Sequence, residues 1–154
     1  MNSLVVGGLI KRIYEDFDMN TFSNRLRLQK MVYLLQEEGG INLGYKFSWY
    51  VHGPYSTELT RDAFQIQNFT KIKEVGFEDN ANEEKFKLFK NKIDCHKNDD
   101  FWLEISTSIH LLIKIYPTKS KTDIIKEIQE RKPNLKNKTP EISEIWNEIK
   151  GWSK

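Results

Sequence analysis

Apolar side chains recur every three to four residues through most of this 154-residue chain, so the chain has to pack largely as helices. This period places apolar residues on one face of an α-helix. The spacing predicts helices over residues 3–17, 23–38, 56–69, 82–93 and 99–116, with two more that begin near Ser120 and Thr139. We therefore expect a mainly α fold.

Residues that commonly begin and end helices stand at the edges of these segments. Candidate N-terminal caps are Ser23, Ser56, Ser120 and the pair Thr139-Pro140. Ser120 and Asp123 have the spacing of a capping box. Gly39-Gly40 is expected to end the second helix, because glycine adopts the left-handed C-cap conformation without steric cost. Gly7-Gly8 lowers the helix propensity of the first segment and leaves its start less well defined.

One short segment has the composition of a β-strand. Residues 45–51 are rich in aromatic side chains and partly alternate, and His52-Gly53-Pro54 closes the segment with a turn. Residues 70–77 are a weaker strand candidate. No repeat or linker-like stretch divides the chain. We expect a single compact helical domain over residues 1–154, an α+β fold with a minor β component and a short strand or hairpin before the turn.

Cysteine content and charge exclude several classes of protein. Cys95 is the single cysteine, which excludes an internal disulfide framework and a four-cysteine zinc site. The formal net charge is +2, from 24 basic and 22 acidic residues, too near zero to identify a dedicated nucleic-acid binder. No segment has the roughly 20 apolar residues that span a bilayer, and no secretory signal opens the chain. We expect a soluble, cytoplasmic protein with no membrane partner.

The chain lacks the short motifs that identify common enzymes. It contains no GxxxxGK[ST] phosphate loop, no GxGxxG fingerprint, no GxSxG elbow and no HExxH metal pair. We therefore expect a non-enzymatic protein with no catalytic residue, no cofactor and no metal.

His52 has two interpretations: a base or binding residue presented at the turn, or a side chain that only hydrogen-bonds within that turn.

The run Asp94-Cys95-His96 brings a thiol, an imidazole and a carboxylate together, with Asp99 and Asp100 close behind. Neighbouring side chains usually diverge, whereas a catalytic cysteine and histidine have to meet. A Cys-His dipeptide also lacks the usual spacing of metal ligands, even with His110 added. The pattern favours a polar loop between two helices, and a structural role for His110 beside its apolar stripe.

Two basic segments favour an alternative function. Arg25, Arg27 and Lys30 lie near the start of the second helix, and residues 114–138 hold eight basic against three acidic residues. The candidate phosphate contacts in the later segment are Lys119, Lys121, Arg131 and Lys132. Such a patch suits the phosphates of a nucleic acid. The alternative prediction is a transcriptional regulator that binds nucleic acid through a winged-helix-like unit of helices and a strand.

Two motifs in a fixed order resemble a known signature. Residues 27–36 are RLQKMVYLLQ, and residues 52–56, after the aromatic segment, are HGPYS. This pairing is similar to the LQKxxYLxQ and HGP signature shared by the Panacea antitoxin domain and the YwgA-like proteins. Residues 45–59 and the later IQERKP of residues 128–133 are closer to the YwgA-like branch. The resemblance covers about residues 26–59.

This resemblance implies a largely helical, non-enzymatic protein that binds other proteins. Panacea domains neutralise toxins by direct contact, and some act as proteolytic adaptors, so the implied partner is a toxin or a protease component. We expect the chain to differ from typical Panacea members in lacking a fused DNA-binding domain, and it carries Tyr55 where valine is common. A structural subunit of a defence system is a third possibility with the same kind of partner.

The resemblance and the aromatic content together place the expected partner surface around the turn. The expected partner-binding residues are Trp49, Tyr50, His52, Gly53, Pro54 and Tyr55. Tyrosine and tryptophan are favoured at protein interfaces because each supplies a large contact area with a polar tip. The alternative interpretation is that these aromatic side chains pack in the core against Leu28, Met31 and Leu35.

Overall fold

The fold comes from a computed structural model that describes residues 3–66 and 68–152. Its helices are α1 (Ser3–Ile13), α2 (Phe22–Glu37), α3 (Thr57–Phe64), α4 (Asn80–Ile93), α5 (Asp100–Ile115), α6 (Lys121–Arg131) and α7 (Thr139–Trp152). Strands β1 (Ser48–Tyr50) and β2 (Gly53–Tyr55) form an antiparallel hairpin in which Trp49 pairs with Pro54. Two short 3-10 helices lie at Phe69–Lys71 and Pro133–Leu135. The predicted mainly α fold with a minor β component is confirmed.

Helices α2 and α5 pack against each other and form the centre of the fold. Every residue of α2 from Leu28 to Leu35 is buried, including the polar Gln29 and Lys30. A helix that is buried on all sides lies inside a domain rather than on its surface. Strand β2 packs against both α2 and α5, while α6 and α7 pack on α5. The hairpin is therefore held between the two central helices.

The predicted helix bounds are close at some ends and wrong at others. Ser56 and Ser120 are N-caps, as predicted, and accept hydrogen bonds from Leu59 N–H and Asp123 N–H. Ser23 is not the cap of α2, because Thr21 takes that position and Ser23 Oγ instead bonds Asp100 on α5. Helix α1 ends at Ile13 rather than at the predicted residue 17, and α3 ends at Phe64 rather than at the predicted residue 69.

No helix within the described ranges has the length and apolar character needed to cross a membrane.

The predicted strand over residues 45–51 is shorter than expected, because only Ser48–Tyr50 pairs with β2. The backbone of Tyr45 is already satisfied by a side chain of α2. Its N–H donates to Gln36 Oε1 at 2.9 Å, and its C=O accepts from Gln36 Nε2 at 3.0 Å. A residue whose backbone groups are taken up in this way has none left for a strand ladder.

The predicted strand over residues 70–77 is not formed. Cations of α1 bind the carbonyl groups that a strand would give to a neighbour. Lys11 Nζ donates to the C=O of Thr70 and of Ile72, at 3.0 and 2.7 Å, and Arg12 Nη1 donates to the C=O of Val75 at 3.0 Å. This segment therefore lies on α1 as irregular chain after the short 3-10 helix.

The two glycines of α1 allow that segment to come close. A Cβ atom at Gly8 would lie 2.3 Å from Val75 Cγ2 and 2.8 Å from the carbonyl oxygen of Lys73. A Cβ at Gly7 would lie 2.9 Å from Ile66 Cδ1. The glycines that weaken helix propensity are thus required by packing, because a larger residue would push residues 72–75 away from the helix.

Replacing Gly8 with alanine is expected to destabilise the protein, although alanine favours helix by about 1 kcal/mol. The steric cost of the added methyl group, about 1–3 kcal/mol, exceeds that gain. The matched control is Gly151→Ala in α7, where a Cβ has open space around it. Urea unfolding should show a lower free energy of unfolding for Gly8→Ala and an unchanged or higher one for Gly151→Ala. Equal stabilisation by both would contradict the packing argument.

Candidate functional site

The two sequence motifs meet in space. Gln29 Oε1 accepts the N–H of Ser56 at 2.8 Å, and Gln29 Nε2 donates to the C=O of Ser56 at 3.0 Å and to Thr60 Oγ1 at 2.7 Å. Lys30 Nζ donates to the C=O of Pro54 at 2.7 Å. Buried polar groups require hydrogen-bond partners. The side chains of Gln29 and Lys30 find theirs in the backbone of the HGPYS motif, and Gln29 also bonds the Thr60 hydroxyl of α3.

The later positions of the first motif also have structural partners. Tyr33 Oη shares a hydrogen bond with His110 Nδ1 at 2.7 Å, and His110 Nε2 lies 3.1 Å from Glu38 Oε1. Burial raises the pKa of Tyr33, so its phenol stays protonated. Gln36 likewise bonds the backbone of Tyr45. These motif residues of α2 therefore stabilise the fold rather than face a partner. His110 is a structural histidine, as its position beside an apolar stripe indicated.

A second buried lysine also holds the hairpin. Lys132 Nζ donates to the C=O of Val51 at 2.6 Å and to Glu104 Oε2 at 2.9 Å. The other oxygen of Glu104 lies 3.0 Å from His52 Nδ1. Trp49 lies beneath the Arg131 guanidinium, which is 4.9 Å from the ring centroid. Two carbonyls of the hairpin, those of Val51 and Pro54, are therefore each bound by a buried lysine.

Gly53 lets the hairpin lie against α5. Its φ angle is +90°, and a Cβ atom there would be 2.4 Å from Ser108 Oγ. Ser108 Oγ is buried and has no hydrogen-bond partner within the described ranges. Only glycine satisfies both the positive φ and the close approach. The first residue of β2, directly after the turn, thus has to be glycine for two separate reasons.

Around this rigid hairpin the protein exposes apolar side chains. We name Phe22, Tyr50 and Val51, with His52, the hairpin patch. The exposed fractions of Phe22, Tyr50 and Val51 are 56%, 47% and 80%, and the His52 ring packs edge-on against Phe22 with centroids 5.0 Å apart. Tyr50 stacks on Tyr55 at 4.9 Å. Exposed apolar residues grouped in this way are typical of protein interaction sites.

A small pocket of about 160 Å³ lies beside the patch, between α2, α3 and the hairpin. We name it the α2 pocket; it is lined by Met19, Phe22, Arg25, Leu26, Gln29, Lys30, His52, Tyr55 and Thr60. Lys30 is 2% exposed. Burial lowers the pKa of its ammonium group to about 7, while the Glu104 carboxylate opposes this shift and the Lys132 cation adds to it.

The residues predicted to bind a partner divide into two groups. Tyr50 and His52 are exposed, and Tyr55 is half-buried at the edge of the α2 pocket. Gly53 and Pro54 are buried, so they shape the hairpin rather than offer side chains to a partner. Trp49 is half-buried, packs on the core and is covered by Arg131. His52 bonds α5 rather than its own turn, so neither sequence interpretation of its contacts is complete.

The residues predicted to bind nucleic acid do not form one basic surface. Lys30 and Lys132, which are 2% and 5% exposed, are bound to hairpin carbonyls, so the prediction that places them at a phosphate surface is corrected. The two arginines of the first basic segment also have partners: Arg25 donates to the C=O of Met19, and Arg27 donates to the carboxylate of Asp100. On α6 and the loop before it, three predicted cations also have partners: Lys119 and Arg131 with Glu127, and Lys121 with Asn147.

The run 94–96 lies in the turn after α4, as the polar-loop interpretation predicted. His96 stacks on Trp102 with centroids 3.8 Å apart and contacts Glu148. Cys95 is exposed and bonds only weakly, to the C=O of Lys92. In the part of the chain that the structure describes, no group of three or more His, Cys, Asp or Glu side chains could hold a metal ion.

Sequence reasoning missed several residues of the site. Glu104 interrupts the apolar run of α5, and a charged residue at such a position is a signal for a buried ion pair. The sequence pattern did not indicate that Val51 and Phe22 are exposed, because their exposure depends on how the hairpin packs on α2 and α5.

Comparisons of the chain with protein-family models, with curated proteins and with solved structures found no match.

Proposed function

We propose that this protein is a cytoplasmic, non-enzymatic module that binds another protein through the hairpin patch. The observation that carries the proposal is the exposure of Tyr50 and Val51 on a hairpin whose backbone is held by two buried lysines, with Phe22 of α2 exposed beside it. Aromatic side chains such as Phe22 and Tyr50 are enriched at protein interfaces, where a few residues supply most of the binding energy.

The contacts beneath the patch support this role. Association is costly when flexible segments become ordered, and a surface that is fixed beforehand avoids that cost. Lys30 and Lys132 fix the hairpin backbone, while Gln29 fixes the chain that follows it. The polar residues of the two motifs are thus used to position the hairpin, which leaves its exposed apolar side chains for a partner.

The partner we propose is a toxin or a protease component, in line with the antitoxin and adaptor roles that the Panacea resemblance implies. The nucleic-acid alternative has less support, because the cations that suggested it are mostly buried or paired. Recovery of bound molecules with the tagged protein, before and after nuclease treatment, separates protein binding from nucleic-acid binding.

The double variant Tyr50→Ser, Val51→Ser is expected to weaken the partner complex at least about tenfold, since it removes two of the three large exposed side chains of the patch. The matched control is Leu88→Ser on α4, where the leucine is 63% exposed but lies away from the hairpin. The measurement is recovery of the nuclease-resistant partner with tagged protein from its own host, followed by Kd measurement on the purified pair.

Equal partner affinity for the double variant and for Leu88→Ser would contradict the proposal. Recovery of nucleic acid, with every bound protein lost after nuclease treatment, would favour the regulator instead. Thermal unfolding of both variants shows whether a loss of binding comes from the surface or from unfolding, because both substitutions replace exposed side chains.

A further inference from the structure

The α2 pocket contains two cationic side chains and no carboxylate in its lining. Arg25 and Lys30 come from the same face of α2, together with Leu26 and Gln29. Pockets lined with charge of one sign favour ligands of the opposite sign. The lining therefore favours an anionic group.

Among the described residues, each of these two cations donates to one backbone carbonyl and has further N–H groups. Lys30 Nζ donates to the C=O of Pro54, and Arg25 Nη1 donates to the C=O of Met19 at 2.9 Å. An ammonium group has three N–H donors and a guanidinium has five. Within the described ranges, neither side chain forms an ion pair with a carboxylate, so a carboxylate that entered the pocket would be their first ionic partner.

A chain of hydrogen bonds joins three further polar side chains at the pocket. Gln29 Nε2 donates to Thr60 Oγ1 at 2.7 Å, and the Thr60 hydroxyl shares a hydrogen bond with Tyr55 Oη at 2.7 Å. Thr60 Oγ1 also lies 3.4 Å from the C=O of Ser56, so its one hydrogen has two candidate acceptors. These residues line the pocket and contain no carboxylate, so none of them would repel an anionic group.

The other walls are apolar and set the size of the ligand. Met19, Phe22 and Leu26 provide these walls. The volume of about 160 Å³ is close to the roughly 150 Å³ of an engineered cavity that holds benzene. An apolar group of about four to six carbon atoms therefore suits this volume.

We propose that the α2 pocket binds the C-terminal residue of the partner protein, with an apolar side chain against Met19, Phe22 and Leu26 and its terminal carboxylate against Arg25 and Lys30. This inference rests on the proposed function, because it names the part of the partner that is bound. A chain terminus ending in leucine or valine carries both features on one residue. Capture of a C-terminal carboxylate by backbone and side-chain donors is a known mode of peptide recognition.

The charge state of Lys30 makes binding depend on pH. Its ammonium group is buried, and its pKa of about 7 is raised toward the ordinary value by Glu104 and lowered by Lys132. Arg25 and the ring of His52 also line the pocket. A bound carboxylate favours the charged lysine, so affinity is expected to fall by up to about tenfold per pH unit above pH 7.

The test uses the full chain and the peptide acetyl-Gly-Ser-Gly-Ser-Ala-Leu, whose only charge is its C-terminal carboxylate, together with its uncharged C-terminal amide. NMR titration should show shifts at the amides of Leu26, Tyr55 and Thr60 for the acid, with affinity at least about tenfold above that of the amide. Arg25→Gln should lower the affinity of the acid by a similar factor. The control Arg61→Gln alters an exposed arginine outside the pocket and should leave affinity unchanged.

Equal binding of acid and amide, or no shift at the pocket amides, would overturn the inference. An unchanged affinity of Arg25→Gln would do the same. Isovalerate is the free-acid probe, and its binding without any binding of the peptide would overturn the assignment to a protein terminus. A failure here leaves the hairpin-patch test untouched, because that test measures the partner complex with Tyr50 and Val51 replaced.

Discussion

Gly53→Ala is expected to lower the free energy of unfolding by about 3–5 kcal/mol, through backbone strain and steric overlap together. The φ angle of +90° strains any residue with a side chain, and the added methyl group would lie 2.4 Å from Ser108 Oγ. Since α5 is a central helix, it cannot move away without disturbing the packing of α2, α6 and α7.

Two further variants separate the strain from the overlap. Gly44 has a φ of +82° and nothing within 4 Å of a Cβ, so Gly44→Ala should cost only the strain, about 1–2 kcal/mol. Ser108→Ala removes the overlapping oxygen, which has no partner among the described residues. In that background Gly53→Ala should cost about 1–3 kcal/mol.

Urea unfolding of the four combinations of residues 53 and 108 measures the coupling between them as a double-mutant cycle. The expected coupling is about 1–3 kcal/mol, and its sign makes Gly53→Ala less costly in the Ser108→Ala background than in the wild type. Additive effects at the two positions would contradict the close approach of the hairpin to α5.

Lys30 should make the stability of the protein rise with pH above neutrality. Burial lowers the pKa of its ammonium group from 10.5 in the unfolded chain to about 7 in the folded protein. Between these values the unfolded chain binds more protons, so the free energy of unfolding rises with pH. The penalty for burying the charge is fully present below pH 7 and disappears as the pH approaches 10.5. From pH 7 to 9 the expected gain is about 2 kcal/mol.

The comparison is between the wild type and Lys30→Met, whose free energy of unfolding should lack this rise. The control Lys126→Met replaces an exposed lysine and should keep it. Direct NMR titration of the Lys30 side chain in the wild type gives the pKa even if Lys30→Met does not fold. A pKa near 10.5, or the same rise in Lys30→Met, would contradict the burial of this charge next to Pro54.

The helices could be predicted from the sequence because each depends on a local pattern. The stripes of α2 and α5 and the caps Ser56 and Ser120 lie within a few residues of the structure they determine. The strand over 70–77 was predicted wrongly because its carbonyls bond Lys11 and Arg12, some 60 residues away in the chain. No local pattern contains that contact.

The candidate site was predictable only in part, for the same reason. The order of the two motifs located the hairpin, but a lysine is expected at the surface until its partner is known. Lys30 and Lys132 are buried because the carbonyls of Pro54 and Val51 and the carboxylate of Glu104 compensate them. The exposed apolar residues Phe22 and Val51 follow from that geometry.

Photo-crosslinking in the host cell tests the central claim most directly, that the hairpin patch contacts another protein. A photoreactive benzoyl-phenylalanine at Val51, which is 80% exposed, should give one dominant protein adduct that survives nuclease treatment. The same residue at Leu88, which is 63% exposed on α4, should not give that adduct. No protein adduct from position 51, or the same adduct from both positions, would contradict the claim.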